Sequence, residues 1–464
     1  MSGDENDRKE LVKTMREQAP RKSHGEWAPA TDRPDPISLL QAQDQGRIEQ
    51  LLPIKYGRML ESPFAFLRGS AVVMAADLAA APHTGLDVVL CGDAHLLNFG
   101  VFATPERQMV FDINDFDEAY PGSWEWDLKR LAASAVVAGR GIGYGEKKCK
   151  KLAEDTTKLY AYAMDKFSRA HVLDVWYYHV NVDDVLKIFE KTSKKGEKKA
   201  QKMVRKASRK THQQTLEKLT SIQDGRRRII SDPPLLVPFH ELGLERFLSP
   251  EDLRLATEQV IKDAWSQYLE SLPDERRYLL KQFQIKDAAL RVGGVGSVGT
   301  RCMIVLLESG PGGDALILQL KEAGSSVLEN YVDRRITPGN AERVVTGQRL
   351  MQATSDIFLG WHTSQLSGRD YYWRQLKDMK GSAEVSTMDY ESFKSYLGVC
   401  AWCLARAHAR TGDEASISRY IGKNDNFAQA LGDFAVVYAD QTERDHDSLV
   451  KAVKAGRVKA ETGI

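Results

Sequence analysis

The stretch from residue 288 to 385 constrains the fold most, because it is rich in short apolar strands while both of its flanks are helical in character. Met303-Ile-Val-Leu-Leu, a turn with three glycines, and Ala315-Leu-Ile-Leu-Gln-Leu-Lys321 predict a β-hairpin. A helix around Asn340 to Ala353 and a second strand pair, at 356–360 and 370–376, complete a small antiparallel sheet. The chain is therefore predicted to be an α+β protein with its sheet inserted late.

The remaining chain divides around this sheet. Prolines interrupt the polar residues 1–50, which predicts an extended N-terminal arm or a cap on the first domain. Residues 51–287 predict a helical lobe that begins with two strand-loop units followed by a helix, and residues 386–464 predict helices that return to it. The 288–385 segment would then be a second, sheet-containing lobe.

Charge is balanced over the whole chain but not along it. The 464 residues carry 65 Lys or Arg and 64 Asp or Glu, a net charge of +1, so no global field favours nucleic acid or an anionic membrane. Any such partner must be bound by a local patch. Residues 187–228 hold 15 Lys or Arg against 4 acids, a net of +11. This segment is predicted to be a solvated helical excursion or a surface for an acidic or phosphate-rich partner.

Cysteine usage and hydropathy indicate a soluble, cytoplasmic protein. Five cysteines in so long a chain do not form a disulfide framework, and Cys400 and Cys403 are predicted to be packed in an apolar helix. The N-terminal residues lack the apolar core of a signal peptide, and no segment approaches the ~18 apolar residues of a membrane span. The oligomeric state is left open.

The loop Gly92-Asp93-Ala94-His95-Leu96-Leu97-Asn98 is the first candidate for chemistry. It follows a strand, so Asp93 can face a substrate hydroxyl while Asn98 faces a metal ion. Asp115, after the next strand, supplies a second oxygen ligand of the kind that Mg²⁺ prefers. This arrangement is typical of phosphoryl transfer, and ordinary turn chemistry is the alternative.

A glycine-rich turn is the second candidate, with the pattern Gly294-x-Gly296-x-x-Gly299 preceded by Gly293. Backbone N–H groups of such a turn can approach phosphates. A strand-like segment follows it, which favours a hairpin over a nucleotide rather than the helix of a dinucleotide-binding fold. Lys321, on the returning strand, would reach the phosphates or, alternatively, lie in solvent.

Several long motifs carry a resemblance to known families. GDAHLLNFG followed by INDFDEAYPGSWEWDLKRLA resembles the catalytic and metal-binding segments of aminoglycoside phosphotransferase-like kinases. SPFAFLRGS, LCGDAHLLNFG, FDINDFDEA, WEWDLKRLAAS and YYWRQLKDMKGS more closely resemble a bacterial family known as domain of unknown function 2252, over about residues 24–447. Only the kinase likeness implies a fold and an activity.

The kinase likeness implies a role for each matching residue. Asp93 would orient or deprotonate the acceptor hydroxyl, His95 matches the loop histidine, and Asp127 would brace the loop from the next helix. The remaining roles are Mg²⁺ ligation by Asn98 and Asp115, nucleotide binding by Gly293, Gly294, Gly296, Ser297, Gly299 and Lys321, and pairing of Lys321 with Glu329 or, second, Glu342. Gln375 to Lys380 would be the hinge beside adenine, and Arg68 either holds a phosphate in the cleft or pairs with a structural carboxylate.

Two features depart from the kinase pattern. Cys91 stands where protein kinases place a His, and the glycine-rich hairpin follows the catalytic loop by about two hundred residues instead of preceding it. The simplest account is a circularly permuted, protein-kinase-like two-lobed fold, since contacts and not chain order define a pocket. If the two halves do not meet, the kinase interpretation fails.

The predicted function is transfer of phosphate from Mg-ATP to a hydroxyl of a small-molecule acceptor. A small acceptor is favoured because the catalytic segment resembles the aminoglycoside and choline kinase type. The alternatives are transfer of AMP on the same fold, a nucleotide-sensing module without catalysis, and a nicotinamide-binding oxidoreductase built on the glycine-rich motif. A helix beginning at Gly299 would favour the last.

Overall fold

The chain is a mixed α+β protein with several antiparallel sheets. The computed structural model describes residues 5–239, 241, 258–310, 314–334, 336–365, 367–376 and 379–463. Within these ranges no helix has both the length and the apolar character needed to cross a membrane.

Helices and strands alternate along the chain as follows. The helices are α1 (Glu5–Gln18), α2 (Pro36–Gln43), α3 (Leu52–Met59), α4 (Pro63–Gly69), α5 (Ala71–Ala79), α6 (Glu125–Ile142), α7 (Glu146–Phe167), α8 (Val172–Tyr177), α9 (Val182–Thr192), α10 (Lys194–Arg209), α11 (His212–Leu219), α12 (Glu258–Glu270), α13 (Asp274–Leu280), α14 (Asn340–Met351), α15 (Tyr390–Ala409), α16 (Glu414–Ile421) and α17 (Asn426–Lys454). The strands are β1 (Asp87–Leu90), β2 (Phe99–Ala103), β3 (Met109–Ile113), β4 (Tyr120–Ser123), β5 (Val180–Asn181), β6 (Thr220–Gln223), β7 (Arg226–Ile229), β8 (Leu236–Pro238), β9 (Phe283–Arg291), β10 (Cys302–Ser309), β11 (Ala315–Ala323), β12 (Gly360–Thr363) and β13 (Asp370–Gln375).

The largest core lies among helices from both ends of the chain. Helix α6 is buried along most of its length, and α7, α15 and α17 pack around it and against one another. Gly143, in the left-handed region at φ +95°, ends α6 and turns the chain back into α7. The C-terminal helices therefore complete a core that begins with α6, at Glu125.

A six-stranded antiparallel sheet has the strand order β12-β13-β11-β10-β9-β8. Its side chains alternate between two apolar clusters: Val305 and Leu307 pack with α12, whereas Ile304 and Leu306 pack with Leu216 of α11. Alternation of this kind follows from the two-residue period of a strand. Both faces of the sheet are therefore covered over part of their area.

The hairpin predicted at 303–321 is confirmed as β10 and β11, and β13 pairs with β11. The sheet is larger than predicted, because β9 begins at Phe283 and β8, at 236–238, adds an edge strand. Residues 356–359 form a turn and not the predicted strand, so the last pair is β12 with β13. The turn residues 311–313 lie outside the described residues.

The sequence left two arrangements open for the N-terminal 50 residues, an extended arm or a cap, and the structure shows helices there. Helix α1 ends before Pro20, and Pro36 occupies the first turn of α2, where a proline is tolerated because its missing N–H has no intrahelical partner. Helix α1 packs on α16, and α2 packs on α5 and α17. The segment is therefore a helical cap on the large core.

Candidate active site

A cleft of about 710 Å³ lies where the helical part of the chain meets the six-stranded sheet. The loops after β1 and β3 line one wall, the glycine-rich turn between β9 and β10 lines a second, and the polar face of β11 and β13 lines a third. Segments about two hundred residues apart in sequence therefore share one cavity. The predicted site residues that line it are Arg68, Asp93, His95, Asn98, Asp115, Gly293, Gly294, Gly296, Ser297, Lys321 and Gln375.

The loop after β1 is fixed by helix α6. Asp127 accepts hydrogen bonds from the backbone N–H groups of Cys91 (2.8 Å) and Gly92 (3.0 Å), and His408 of α15 lies 3.3 Å from the same carboxylate. Gly92 has φ +77°, and a Cβ there would lie 2.3 Å from the carbonyl oxygen of Glu118. Only glycine fits this position, and Asp127 braces the loop as the sequence predicts.

Asp93 points into the cleft and is held by a buried arginine. Arg130 donates from Nε to Asp93 Oδ1 (2.7 Å) and from its terminal nitrogen to the carbonyl oxygen of Leu67 (2.6 Å). Burial raises the pKa of Asp93, and the Arg130 guanidinium opposes that rise. His95 Nε2 lies 3.7 Å from Asp93 Oδ2, and burial lowers the pKa of this imidazole well below its usual value. Asp93 is thus an oriented carboxylate with one oxygen left toward the cleft.

Asn98 and Asp115 both line the cleft, and a backbone hydrogen bond connects Asn98 to the residue before Asp115. The Asn98 side-chain amide donates to the carbonyl oxygen of Asp93 (2.6 Å), and the backbone N–H of Asn114 donates to the carbonyl oxygen of Asn98 (2.8 Å). Burial and the neighbouring Asp117 carboxylate raise the pKa of Asp115. No group of three His, Cys, Asp or Glu side chains suited to a metal ion occurs among the described residues.

Lys321 is buried at the sheet wall and contacts Asp117. Its ammonium hydrogen-bonds to Asp117 Oδ2, and the Tyr372 hydroxyl donates to Asp117 Oδ1 (2.7 Å). Burial alone would raise the pKa of Asp117, but Lys321 and Tyr372 outweigh it and lower that pKa. Burial would lower the pKa of Lys321, and the Asp117 charge instead raises it.

The carboxylate that contacts Lys321 corrects the sequence-based choice of Glu329 or Glu342. Glu329 lies in the turn after β11, where its charge acts on the guanidinium of Arg343, and Glu342 lies in the first turn of α14. Asp117 follows Asp115 by two residues, so both carboxylates reach the cleft from one short loop. The Asp-Phe-Asp spacing was the available signal, because it brings two acids to the same loop.

Strand alternation also explains a polar sheet face that the sequence analysis missed. Gln319 and Lys321 alternate with apolar neighbours on β11, and Tyr372 and Arg374 are their register partners on β13. Arg374 Nε donates to Gln319 Oε1 (2.9 Å). Burial lowers the pKa of Arg374, but the neighbouring Tyr372 and Asp115 outweigh burial, so the pKa of Arg374 is raised. Arg291, at the end of β9, adds a further cation to this wall. The sheet thus presents several positive groups to the cleft.

The glycine-rich turn is held from the helical side of the cleft. Arg58 donates to the carbonyl oxygen of Gly293 (2.6 Å), and Arg47 donates to those of Gly296 (2.9 Å) and Val298 (2.8 Å). A Cβ on Gly293 would lie 2.6 Å from Ser297 Oγ, and Gly299 has φ +88°. These contacts fix the turn, and β10 begins at Cys302, so a strand follows the glycines and not the helix of a dinucleotide-binding fold.

Arg68 and Glu118 complete the cleft near its base. Burial lowers the pKa of Arg68, the Asp93 charge opposes that lowering, and the Arg68 Nε is buried without a hydrogen-bond partner. Glu118 accepts from the backbone N–H of Val327 (2.7 Å), yet burial raises its pKa to about 6. Arg68 is therefore not paired with a structural carboxylate, and its guanidinium faces the cavity.

The predicted hinge uses its backbone donors within the protein. The N–H of Gln375 donates to Asp356, that of Leu376 to Ile317 (3.0 Å), and that of Met379 to Lys210 (2.8 Å). Residues 377 and 378 of this prediction lie outside the described residues. A base at this end of the cleft would therefore meet side chains such as Ile357 and Phe358.

Two further groups of residues lie outside the cleft. Cys400 and Cys403 are free and buried in α15, as predicted. Asp445 pairs with Arg33 (2.6 Å), and His446 contacts the carbonyl oxygen of Leu60 (3.1 Å). Neither group forms a second site.

Comparison with known proteins identifies the family of the chain. Residues 47–452 match the model of a family described as an uncharacterized protein conserved in bacteria (DUF2252). Because this match spans most of the sequence, the chain belongs to that bacterial family. No curated protein and no solved structure matches the chain.

Proposed function

We propose that this member of the DUF2252 family transfers phosphate from Mg-ATP to a hydroxyl group of a small-molecule acceptor, on a circularly permuted protein-kinase-like fold. One observation carries the proposal: Asp93, Asn98, Asp115, Lys321 and the glycine-rich turn line a single cleft. Their sequence separation makes this meeting informative, because nothing local forces the hairpin of β10 and β11 against the loop after β1.

The division of charge in the cleft supports phosphoryl transfer. Lys321, Arg374 and Arg291 lie on the sheet wall, where they would neutralise phosphate oxygens, and the N–H groups of Gly294 and Gly296 would approach the same phosphates. Asp93, with one oxygen fixed by Arg130, would orient the acceptor hydroxyl. Catalysis would then come from positioning and from fixed charges.

The residues beside Asp93 fit a Mg²⁺ ion. The Asn98 amide nitrogen donates to the carbonyl oxygen of Asp93, which leaves its amide oxygen for another ligand, and Asp115, Asp117 and Glu118 add carboxylates to the same cleft. Mg²⁺ usually binds one or two protein oxygens together with phosphates and water. When bound, the ion would neutralise charge on the transferred phosphate, and Asn98 and Asp115 would hold it.

The experiment that tests this proposal is a thermal-shift titration with ATP, GTP and NAD, with and without Mg²⁺. Asp115→Ala and Lys321→Ala are the test variants, and Lys286→Ala, which removes an exposed lysine from neighbouring β9, is the matched control. A ligand at 100 times its Kd stabilises a protein by about 2.7 kcal/mol. We expect Mg-ATP to stabilise the wild type and the control, and to stabilise both cleft variants much less.

Turnover separates phosphate transfer from the other reactions. The expected result of an acceptor screen read by mass spectrometry is a product heavier by one phosphate, lost in Asp93→Asn. A product heavier by AMP would replace phosphate transfer with nucleotidyl transfer. ATP binding without any product across a broad screen would favour nucleotide sensing, and no nucleotide response at all would end the nucleotide proposal.

A further inference from the structure

A second charged depression lies outside the cleft, on helix α10. It has a volume of about 610 Å³ and is lined by six cations and two amides, which are Lys198, Lys202, Arg205, Lys206, Arg209, Lys210, Gln201 and Gln214. The cations recur at intervals of three and four residues, so they share one helix face. All six are exposed. We refer to this surface as the basic groove.

The opposite face of α10 explains why the basic groove faces outward. Gly196, Ala200 and Ala207 are buried, and a Cβ on Gly381 would lie 3.0 Å from the Cβ of Ala207. Ser193 caps the helix by accepting from the N–H of Gly196 (3.0 Å). The helix is thus fixed by its small residues, and its cations are held in a defined row.

The groove cations have no acidic partners. None of the six forms an ion pair with a carboxylate anywhere in the part of the chain that the structure describes. Elsewhere in the chain exposed lysines have such partners, for example Lys151 with Asp155 and Lys187 with Asp184. Six like charges within about 18 Å of helix repel one another, and a bound polyanion would neutralise them and relieve that repulsion.

We infer that the basic groove binds the phosphate backbone of duplex nucleic acid, without reading its sequence. From Lys198 to Lys210 the helix spans about 18 Å, a length over which one strand of B-DNA presents about five phosphates. No aromatic side chain lines the groove, so it lacks the stacking surfaces typical of single-strand binding. It also lacks apolar side chains that would insert into a membrane. The balanced net charge disfavours nucleic acid as a partner for the chain as a whole, so its binding would depend on this local patch.

The groove is adjacent to the cleft but separate from it. The carbonyl oxygen of Lys210 accepts from the N–H of Met379 (2.8 Å), and Lys380, the next residue, lines the cleft. Nucleic acid in the groove would therefore lie beside the cleft mouth. The inference does not depend on the proposed function, because none of its residues belongs to the candidate active site.

Fluorescence anisotropy with a labelled 20-base-pair DNA duplex, titrated from 50 to 300 mM NaCl, tests the inference. The test variant is Lys202→Gln/Arg205→Gln/Arg209→Gln, in which glutamine preserves helix propensity. The control, Lys147→Gln/Lys451→Gln/Lys454→Gln, removes the same charge from exposed helix positions elsewhere. Mg-ATP thermal shift and circular dichroism report folding and the cleft independently.

A plot of the logarithm of the DNA association constant against the logarithm of the salt concentration should have a slope of about −5 for the wild type and the control. The slope for the groove variant should be about −3. The groove variant should also bind at least about tenfold more weakly at 100 mM salt. Equal affinity and slope for both triple variants would overturn the inference. Binding of inorganic polyphosphate or of anionic vesicles in preference to the duplex would overturn it as well.

Discussion

The cleft and the basic groove are both lined by cations, but they hold them in opposite ways. In the cleft Lys321 is 5% exposed and bonded to Asp117, and Arg374 is bonded to Gln319. In the groove six cations are exposed and have no acidic partner among the described residues. Buried charges need fixed partners because desolvation is costly, whereas exposed charges are solvated and screened by salt. Protein partners therefore fix the cleft cations in position before any ligand binds, whereas the groove cations are held by solvent alone.

The largest effect should come from the carboxylate that braces the cleft loop. Asp127→Ala leaves two buried N–H groups, of Cys91 and Gly92, without an acceptor, so we expect a loss of about 3 to 4 kcal/mol. Urea unfolding at 25 °C measures it. Asp127→Asn keeps one acceptor and should lose about half as much. A loss below about 1 kcal/mol in Asp127→Ala would contradict the bracing role.

A methyl group at Gly92 should have the next largest effect. Gly92→Ala combines a left-handed φ of +77° with a contact of 2.3 Å to the Glu118 carbonyl oxygen, which predicts a loss of about 3 kcal/mol. Gly143→Ala, with φ +95° and open space around it, isolates the conformational part and should cost about 1 kcal/mol. Equal losses in the free energy of unfolding of the two variants would show that the loop shifts to accommodate the added methyl group.

Paired lysine substitutions compare the two depressions directly. Lys321→Met leaves Asp117 without its cation and should lose about 2 kcal/mol, since Asp117 is partly exposed. Lys202→Met in the groove should change the free energy of unfolding by less than about 0.5 kcal/mol. A double-mutant cycle with Asp117→Asn should recover part of the Lys321 loss. Similar losses in the free energy of unfolding for Lys321→Met and Lys202→Met would contradict the contrast between a paired lysine in the cleft and a solvated lysine in the groove.

The smallest effect concerns salt. Repulsion within the groove should lower the wild-type Tm slightly at 20 mM NaCl, so raising the salt to 500 mM should raise the Tm by about 1 to 2 °C more than in the groove triple-glutamine variant. The cleft ion pair is present in both proteins and should not contribute to this difference. Scanning calorimetry of both proteins at the two salt concentrations measures it. An identical response would mean that the groove cations do not repel one another measurably.

Local sequence signals predicted the parts of the fold that depend on the alternation of apolar and polar residues and on the residues that form turns. The alternation in 303–321 predicted β10 and β11, and glycine followed by strand excluded a dinucleotide-binding turn. Strand β4, Tyr-Pro-Gly-Ser, was missed because its residues disfavour strands and it exists through pairing with β1. Helix α1 was missed because only Val12 and Met15 are buried, which leaves little amphipathic signal.

The sequence motifs identified several residues that line the cleft, but not which of them contact each other. The motif residues Asp93, Asn98, Asp115 and Lys321 all line the cleft. The Asp-Phe-Asp spacing places a second acid on the loop, but the sequence does not show whether Asp117 or Glu329 contacts Lys321, because only the tertiary arrangement distinguishes them. Arg130 gave no local signal either, since an arginine within a helix is ordinary until the loop that it contacts is known.

The chain order of the cleft has a consequence for biosynthesis. Asp117 leaves the ribosome 204 residues before Lys321. At a translation rate of 5 to 20 residues per second, Lys321 follows roughly 10 to 40 s later, and until then Asp117 has no ion-pair partner in Lys321. Helices α15 and α17, which close the core around α6 and α7, are made later still. The nascent protein therefore carries unpaired acids and an open apolar surface until synthesis is nearly complete, and its maturation should depend on protection during that interval.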